Sequence, residues 1–142
     1  MSFIYFEGTK DYVAATPALI VTYSASGSIT AGRCLNLNTT GDVYVPTAHR
    51  SGASKPAGVA LATVANGEPC PVLVWGYAKN LQNAGLALNV GDVLAVSGSG
   101  LWTTSGSLNT PSSYSAGKVV SGSAASGLIV AFIDCMKNFG VN

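Results

Sequence analysis

An active site needs polar groups that can converge, and this sequence holds few of them. There is one histidine, His49, and its neighbours Arg50, Ser51 and Gly52 place it in a solvated loop instead of a catalytic pocket. The carboxylates are Glu7, Asp11, Asp42, Glu68, Asp92 and Asp134. Asp42, Asp92 and Glu68 follow Gly41, Gly91 and Gly67, where a turn-forming role accounts for each. Spacing alone leaves open a glycosidase-type acid pair, because two carboxyls need only meet in space, but nothing in the sequence favours one. Ser115-Ala116-Gly117-Lys118 spells the S-x-x-K string of serine acyltransferases, in which a lysine one helical turn on helps to activate the serine. Here the string leads into a strand, and the partner S-D-N and K-T-G strings are absent. Neither G-x-S-x-G nor a complete phosphate-binding glycine loop occurs. Cys34, Cys70 and Cys135 are odd in number and show no C-x-x-C spacing. They read as reduced, buried thiols acting as small hydrophobes, with a single disulfide still open; a zinc site has only His49 to complete it. The expectation is a protein that is not an enzyme, with no catalytic residues, no metal and no cofactor.

Aromatic residues offer contact instead of chemistry. Trp75 ends an apolar run and Trp102 follows Leu101 in a strand-like segment, so both are expected in a core or an interface before stacking on a sugar. Phe3, Ile4, Tyr5, Phe6 and Tyr12 crowd the N-terminus, which thereby holds four of the chain's twelve aromatic residues. Left in water, such a cluster is the kind of patch that marks an interaction site. The readings are an ordinary first strand folded onto the chain's own core, or an arm that docks on another protein or subunit by adding a strand. With Trp75, these five residues form the expected partner or subunit interface.

Composition narrows the partners. Of 142 residues only 9% are charged and the net charge is +1, far from the basic surface a phosphate backbone demands, so nucleic acid is not an expected partner. So sparse a charged surface suits a protein whose exterior is meant to be covered. The apolar fraction is 48%, but it lies in short runs, none near the roughly 18 residues of a membrane helix. The first residues carry no basic leader and no cleavage site, so synthesis in a cytoplasm is expected, and the Asn38-Thr39-Thr40 sequon carries no glycan there.

The elements that must carry these residues read as strands and turns. A chain of this length forms one domain with a core of its own. Strand signals dominate from about residue 29. Arg33 to Asn38 alternates, with Leu35 and Leu37 on one face, and should be half-buried. Gly41 turns the chain into Val43-Tyr44-Val45, and Pro46 stops it. Gly58 to Val64 and Pro71 to Tyr77 follow as strands about Asn66-Gly67, the strongest short hairpin signal. Val72, Leu73, Val74 and Trp75 form an unbroken apolar run, expected where a strand is buried on both faces or meets a subunit. Lys79 to Asn89 is the only stretch where a short helical turn is expected. Val93 to Val96, Leu101 to Thr104 and Leu128 to Met136 complete the strands, and Ser105 to Ser115 is a long surface loop. A shift of 59 residues lays Gly32, Leu35, Leu37, Gly41 and Gly58 on Gly91, Leu94, Val96, Gly100 and Gly117, an internal echo that would make two β units. The predicted fold class is all-β, a compact barrel or sandwich of short antiparallel strands, with residues 1–27 as an N-terminal arm or first strand and 28–142 as the barrel.

Certain segments carry a family resemblance. Ile29-Thr30-Ala31-Gly32-Arg33-Cys34-Leu35, Pro56-Ala57-Gly58-Val59-Ala60, Val72-Leu73-Val74-Trp75-Gly76, Leu88-Asn89-Val90-Gly91-Asp92-Val93-Leu94 and Ala116-Gly117-Lys118-Val119 resemble the repeated formula of tailed-bacteriophage head decoration, or cement, proteins of the β-tulip type. The resemblance spans about Ser28 to Cys135. It implies a structural virion protein, made in the host cytoplasm, that binds the exterior of the capsid lattice. Its partners would be the major capsid protein and further copies of itself, commonly as a trimer. The alternative is another virion or surface β module of a tail, a fibre or a carbohydrate-binding protein, whose mark would be exposed aromatics beside polar groups in a cleft.

Overall fold

The structure is a computed structural model, and it describes residues 13–46, 56–85, 87–104, 115–123 and 127–136. These residues form nine strands: β1 (Val13–Ser24), β2 (Cys34–Leu37), β3 (Val43–Tyr44), β4 (Pro56–Ala60), β5 (Pro69–Gln82), β6 (Val93–Val96), β7 (Trp102–Thr104), β8 (Gly117–Ser121) and β9 (Leu128–Asp134). Among the described residues helical geometry is confined to a 3₁₀ turn at Gly98–Gly100 and to Met136 after the last strand, as the all-β reading expects. The strands run in the order β3-β2-β4-β5-β9-β8-β6-β7, every ladder antiparallel, and β1 lies along the other side of β5.

That order is a palindrome in repeat units. β2 and β3 recur 59 residues on as β6 and β7, and β4 and β5 recur as β8 and β9. The long β5 serves both units. Its first half pairs with β4, as β9 pairs with β8, while its second half lies against β9 as β1 lies against the first half of β5. Each unit curls back on itself through one parallel bridge, Ala25 to Val43 in the first and Asn83 to Trp102 in the second. The bond from Gly32 N–H to the Ala60 carbonyl (2.7 Å) has its counterpart in Gly91 N–H to Val119 (2.9 Å). So does the hairpin bond from Asn38 N–H to Asp42 (2.8 Å), in Ser97 N–H to Leu101 (2.7 Å). The echo in the sequence is a structural repeat.

Gly58 and Gly117 show why the echo is written in glycine. Their φ angles are +151° and +149°. A Cβ at Gly58 would run into the Leu73 carbonyl oxygen, and one at Gly117 into that of Phe132, again 59 residues apart. Only glycine lets the neighbouring strand come so close.

The core fills the space the two curls enclose. Leu35, Leu73, Leu81, Leu94, Ile129 and Ile133 are buried, as are all three cysteines. Trp102 is fully buried in it, and its indole N–H donates to the Gly32 carbonyl at 2.8 Å. Arg33 Nη1 donates to the Ser99 carbonyl at 2.9 Å, so the β6–β7 hairpin of the second unit is fastened to the start of β2 in the first.

Two expectations need correction, and residues 1–27, read as an arm or first strand, hold a full strand, β1, ahead of the region where strand signals dominate. Pro17 and two small residues hide it, and the ladder irregularity between Val13 and Ala18 accommodates that proline. The expected helical turn after Lys79 is instead the end of β5, where Asn80 takes a φ of +60° at a register shift between Ala78 and Leu81. β2 is not half-buried, because Cys34, Leu35 and Asn36 are all inside and only Leu37 is partly open. The run Val72-Leu73-Val74 is buried on both faces, as its unbroken hydrophobicity requires.

Candidate functional site

The described residues bring no catalytic group together. Each of the turn carboxylates holds its own loop. Glu68 Oε2 accepts from Ala65 N–H at 3.0 Å, Asp92 Oδ2 from Asn89 N–H at 2.8 Å, and Asp42 Oδ2 from Thr40 Oγ1 at 3.2 Å. The Asn66-Gly67 turn forms, closed by the bond from Glu68 N–H to the Ala65 carbonyl at 3.1 Å. Ser115 and Lys118 line one shallow pocket, but Lys118 belongs to a strand, without the helical turn that S-x-x-K chemistry needs. Among the described residues no three His, Cys, Asp or Glu side chains could hold a metal ion. His49, Phe3, Ile4, Tyr5, Phe6 and Tyr12 lie outside the described residues.

The cysteines are free thiols sealed in the core. Burial pushes Cys34 well above its ordinary value, and the neighbouring Cys135 adds to the rise. Burial alone raises Cys70 to about 11. These groups are the reverse of reactive thiolates, which need exposure and positive charge.

What the fold does assemble is an open, largely apolar sheet face. Register sets it, since residues directly opposite in an antiparallel ladder point the same way. One row runs Leu19–Trp75–Asp134 across β1, β5 and β9, and the next runs Tyr77–Phe132–Lys118–Val93 across β5, β9, β8 and β6. Phe132 is the hub: its ring meets Trp75 at 5.2 Å and Tyr77 at 5.0 Å, both edge-to-face. Tyr77 and Leu19 remain 38% and 40% exposed. Beside Phe132, the pocket lined by Val93, Ser115, Gly117, Lys118 and Asp134 adds a charge of each sign to the rim.

The repeat makes this face distinctive. The residues 59 positions before Val93, Lys118 and Phe132 are Cys34, Val59 and Leu73, and each of those is completely buried. The same place in the repeat is core in one unit and surface in the other. Of the expected interface residues, Trp75 is therefore placed on an open face in aromatic company. Tyr77, Phe132 and Leu19 were not among those expected; the signal for Tyr77 was its place two residues beyond Trp75 on one strand, while Phe132 and Leu19 joined only through register. Trp102, the other tryptophan, is core.

The described residues form an all-β fold that leaves one largely apolar sheet face open. The chain belongs to the phage cement protein family, whose characteristic sequence it matches over residues 13–133. It is accordingly a structural protein of the phage head that binds the capsid and stabilises it. No curated protein sequence matches it. Its fold is similar to that of the head fiber gp8.5 N base in bacteriophage phi29, with a TM-score of 0.55 and 21% identity over 82% of this chain and 96% of that one.

Proposed function

We propose that the chain works without catalysis, as a cement subunit on the exterior of the head shell, and that the Trp75–Tyr77–Phe132 face is where the major capsid protein docks. The observation that carries this reading is the asymmetry of the repeat: a surface that one unit buries as core is left open and aromatic in the other. Aromatic clusters of this kind provide large contact area at small entropic cost, and a few such anchors dominate most interfaces. Lys118 and Asp134 at the rim would set orientation more than affinity. Phe3, Ile4, Tyr5, Phe6 and Tyr12 serve as the second contact, an N-terminal arm laid on a neighbouring subunit, and the protein acts as a homo-oligomer, with a trimer the arrangement the family resemblance implies. Synthesis in the host cytoplasm precedes attachment.

The test is binding to purified heads that lack the protein. Phe132→Ser with Tyr77→Ser should weaken binding at least tenfold while circular dichroism and melting temperature stay near those of the parent, since both side chains are partly in water already. Unchanged head binding by that folded variant would overturn the assignment of the face.

A further inference from the structure

A cleft on the seam between the two units holds a cation that has no carboxylate partner among the described residues. Its walls are the turn at residues 30–33 ahead of β2, Asn80 and Gln82 at the end of β5, and Leu128 at the start of β9, around a space of about 350 Å³. Arg33 is half-buried there, and its bond to the Ser99 carbonyl holds the guanidinium in place. Asp42, Glu68 and Asp92 brace their own turns, and Asp134 lines the pocket beside Phe132. Among the described residues every buried side-chain nitrogen or oxygen has a hydrogen-bond partner, so the Arg33 donors that Ser99 does not engage are open to water.

The fold does not require this arrangement, because the repeat is built elsewhere without it. The place of Arg33 is taken 59 residues on by Asp92, whose Oδ2 accepts from Asn89 N–H at 2.8 Å while Asp92 N–H donates to the Asn89 carbonyl at 3.0 Å. Arg33 has no side-chain oxygen to brace its turn in that way, and the matching bond, from Arg33 N–H to the Thr30 carbonyl, is longer at 3.4 Å. The positions 59 residues before Asn80 and Gln82 are Val21 and Tyr23, which pack against the core. Asn80 reaches the cleft at the register shift between Ala78 and Leu81, where it takes a φ of +60°. Irregularities of this kind re-aim side chains and gather at binding sites.

We infer that this cleft receives an acidic side chain, Asp or Glu, of the major capsid protein. The inference rests on the reading of the chain as a subunit that docks on that protein. A guanidinium offers both oxygens of a carboxylate a fork of parallel N–H donors, which a lysine cannot match. Partial burial beside Leu128 leaves such a pair less screened than one in open water. The amides of Asn80 and Gln82 offer hydrogen bonds to the peptide groups that flank the acid, and the space has room for the side chain with its adjoining backbone. Among the described residues no aromatic ring lines the cleft for a sugar to stack on.

Two measurements test this. In the full chain, N-acetyl-glutamyl methylamide should shift the side-chain nuclear magnetic resonance signals of Arg33, Asn80 and Gln82, and the glutaminyl analogue at the same concentration should not. Gln82→Glu sets a carboxylate of the chain's own in the cleft without altering Arg33. It should abolish those shifts and weaken binding to purified heads about tenfold, as should Arg33→Gln, with circular dichroism and melting temperature showing which variants are folded. Added sodium chloride should weaken head binding by the parent more steeply than by Arg33→Gln. Signals that respond to neither peptide or to both alike, or heads that bind folded Gln82→Glu as tightly as the parent, overturn the proposal. If Phe132→Ser with Tyr77→Ser loses heads while Gln82→Glu keeps them, the acid-binding cleft fails and the aromatic face stands. If Gln82→Glu loses them and the aromatic variant keeps them, the aromatic face fails and the cleft stands.

Discussion

Trp75 on β5 and Asp134 on β9 stand opposite one another across the central ladder, and they are also the same position of the repeat, 59 residues apart. An approximate two-fold axis therefore passes through this pair, and β5 and β9 meet about it. Duplication around such an axis gives a small protein two similar curls and one shared core. What differs between the halves is then open to specialisation. Here the first unit closes its outer surface with Cys34, Val59 and Leu73, and the second leaves Val93, Lys118 and Phe132 facing outward.

The paired glycines should be the least replaceable residues of the fold. Gly58→Ala and Gly117→Ala each force a side chain into a carbonyl of the adjoining strand at a positive φ, and each should cost about 2–3 kcal/mol. Gly27→Ala and Gly41→Ala also meet a positive φ, but nothing lies within 4 Å of the new methyl, and the cost should stay near 1 kcal/mol. Urea denaturation of the four variants checks the ranking.

Trp102 joins the two units through its indole. Trp102→Phe removes the N–H that the Gly32 carbonyl accepts and leaves both a gap and an unsatisfied buried oxygen. A loss of roughly 3 kcal/mol is expected, from cavity and hydrogen bond together. The parent and the variant should differ in denaturation midpoint by that margin, with circular dichroism of the native state alike.

The buried thiols predict an alkaline limit. Cys70 and Cys34 hold their protons more tightly when folded than when unfolded. Their contribution is complete below the ordinary thiol value near 9.0 and is lost as pH rises through the folded value, about 11 for Cys70. Thermal stability should therefore be flat in this respect up to about pH 8.5 and fall above it, and Cys70→Ala should flatten that decline. In native protein at pH 7.5 an aromatic disulfide reagent should label none of the three thiols, and all three after denaturation.

The carboxylates that brace turns should matter for loops and not for attachment to the head. Glu68→Gln and Asp92→Asn each weaken one bond to a backbone N–H, worth about 1 kcal/mol or less at an exposed turn. Head binding by both variants is expected to equal that of the parent in a co-sedimentation assay.

The sequence by itself determined the strand-and-turn character of the chain, the position of most strands, a packed place for Trp102 in core or interface, and the 59-residue period. These are local properties: a glycine that must take a positive φ, or an apolar run such as Val72-Leu73-Val74, announces itself in the residues alone. The bounds of β1 escaped because Pro17 breaks its pattern, and the end of β5 because Asn80 does the same; both strands are held by their partners in spite of the break. The open face was legible only at Trp75. Leu19, Tyr77 and Phe132 come from strands far apart in sequence, and only the tertiary register sets them side by side. Lys118 in place of Val59 marks that one position as solvent-facing, but the apolar pairs Leu73 and Phe132, and Cys34 and Val93, at equivalent places of the repeat do not state which outer surface is left open. That choice follows from how the two curls pack about the Trp75–Asp134 axis, a non-local relation that no window of sequence contains.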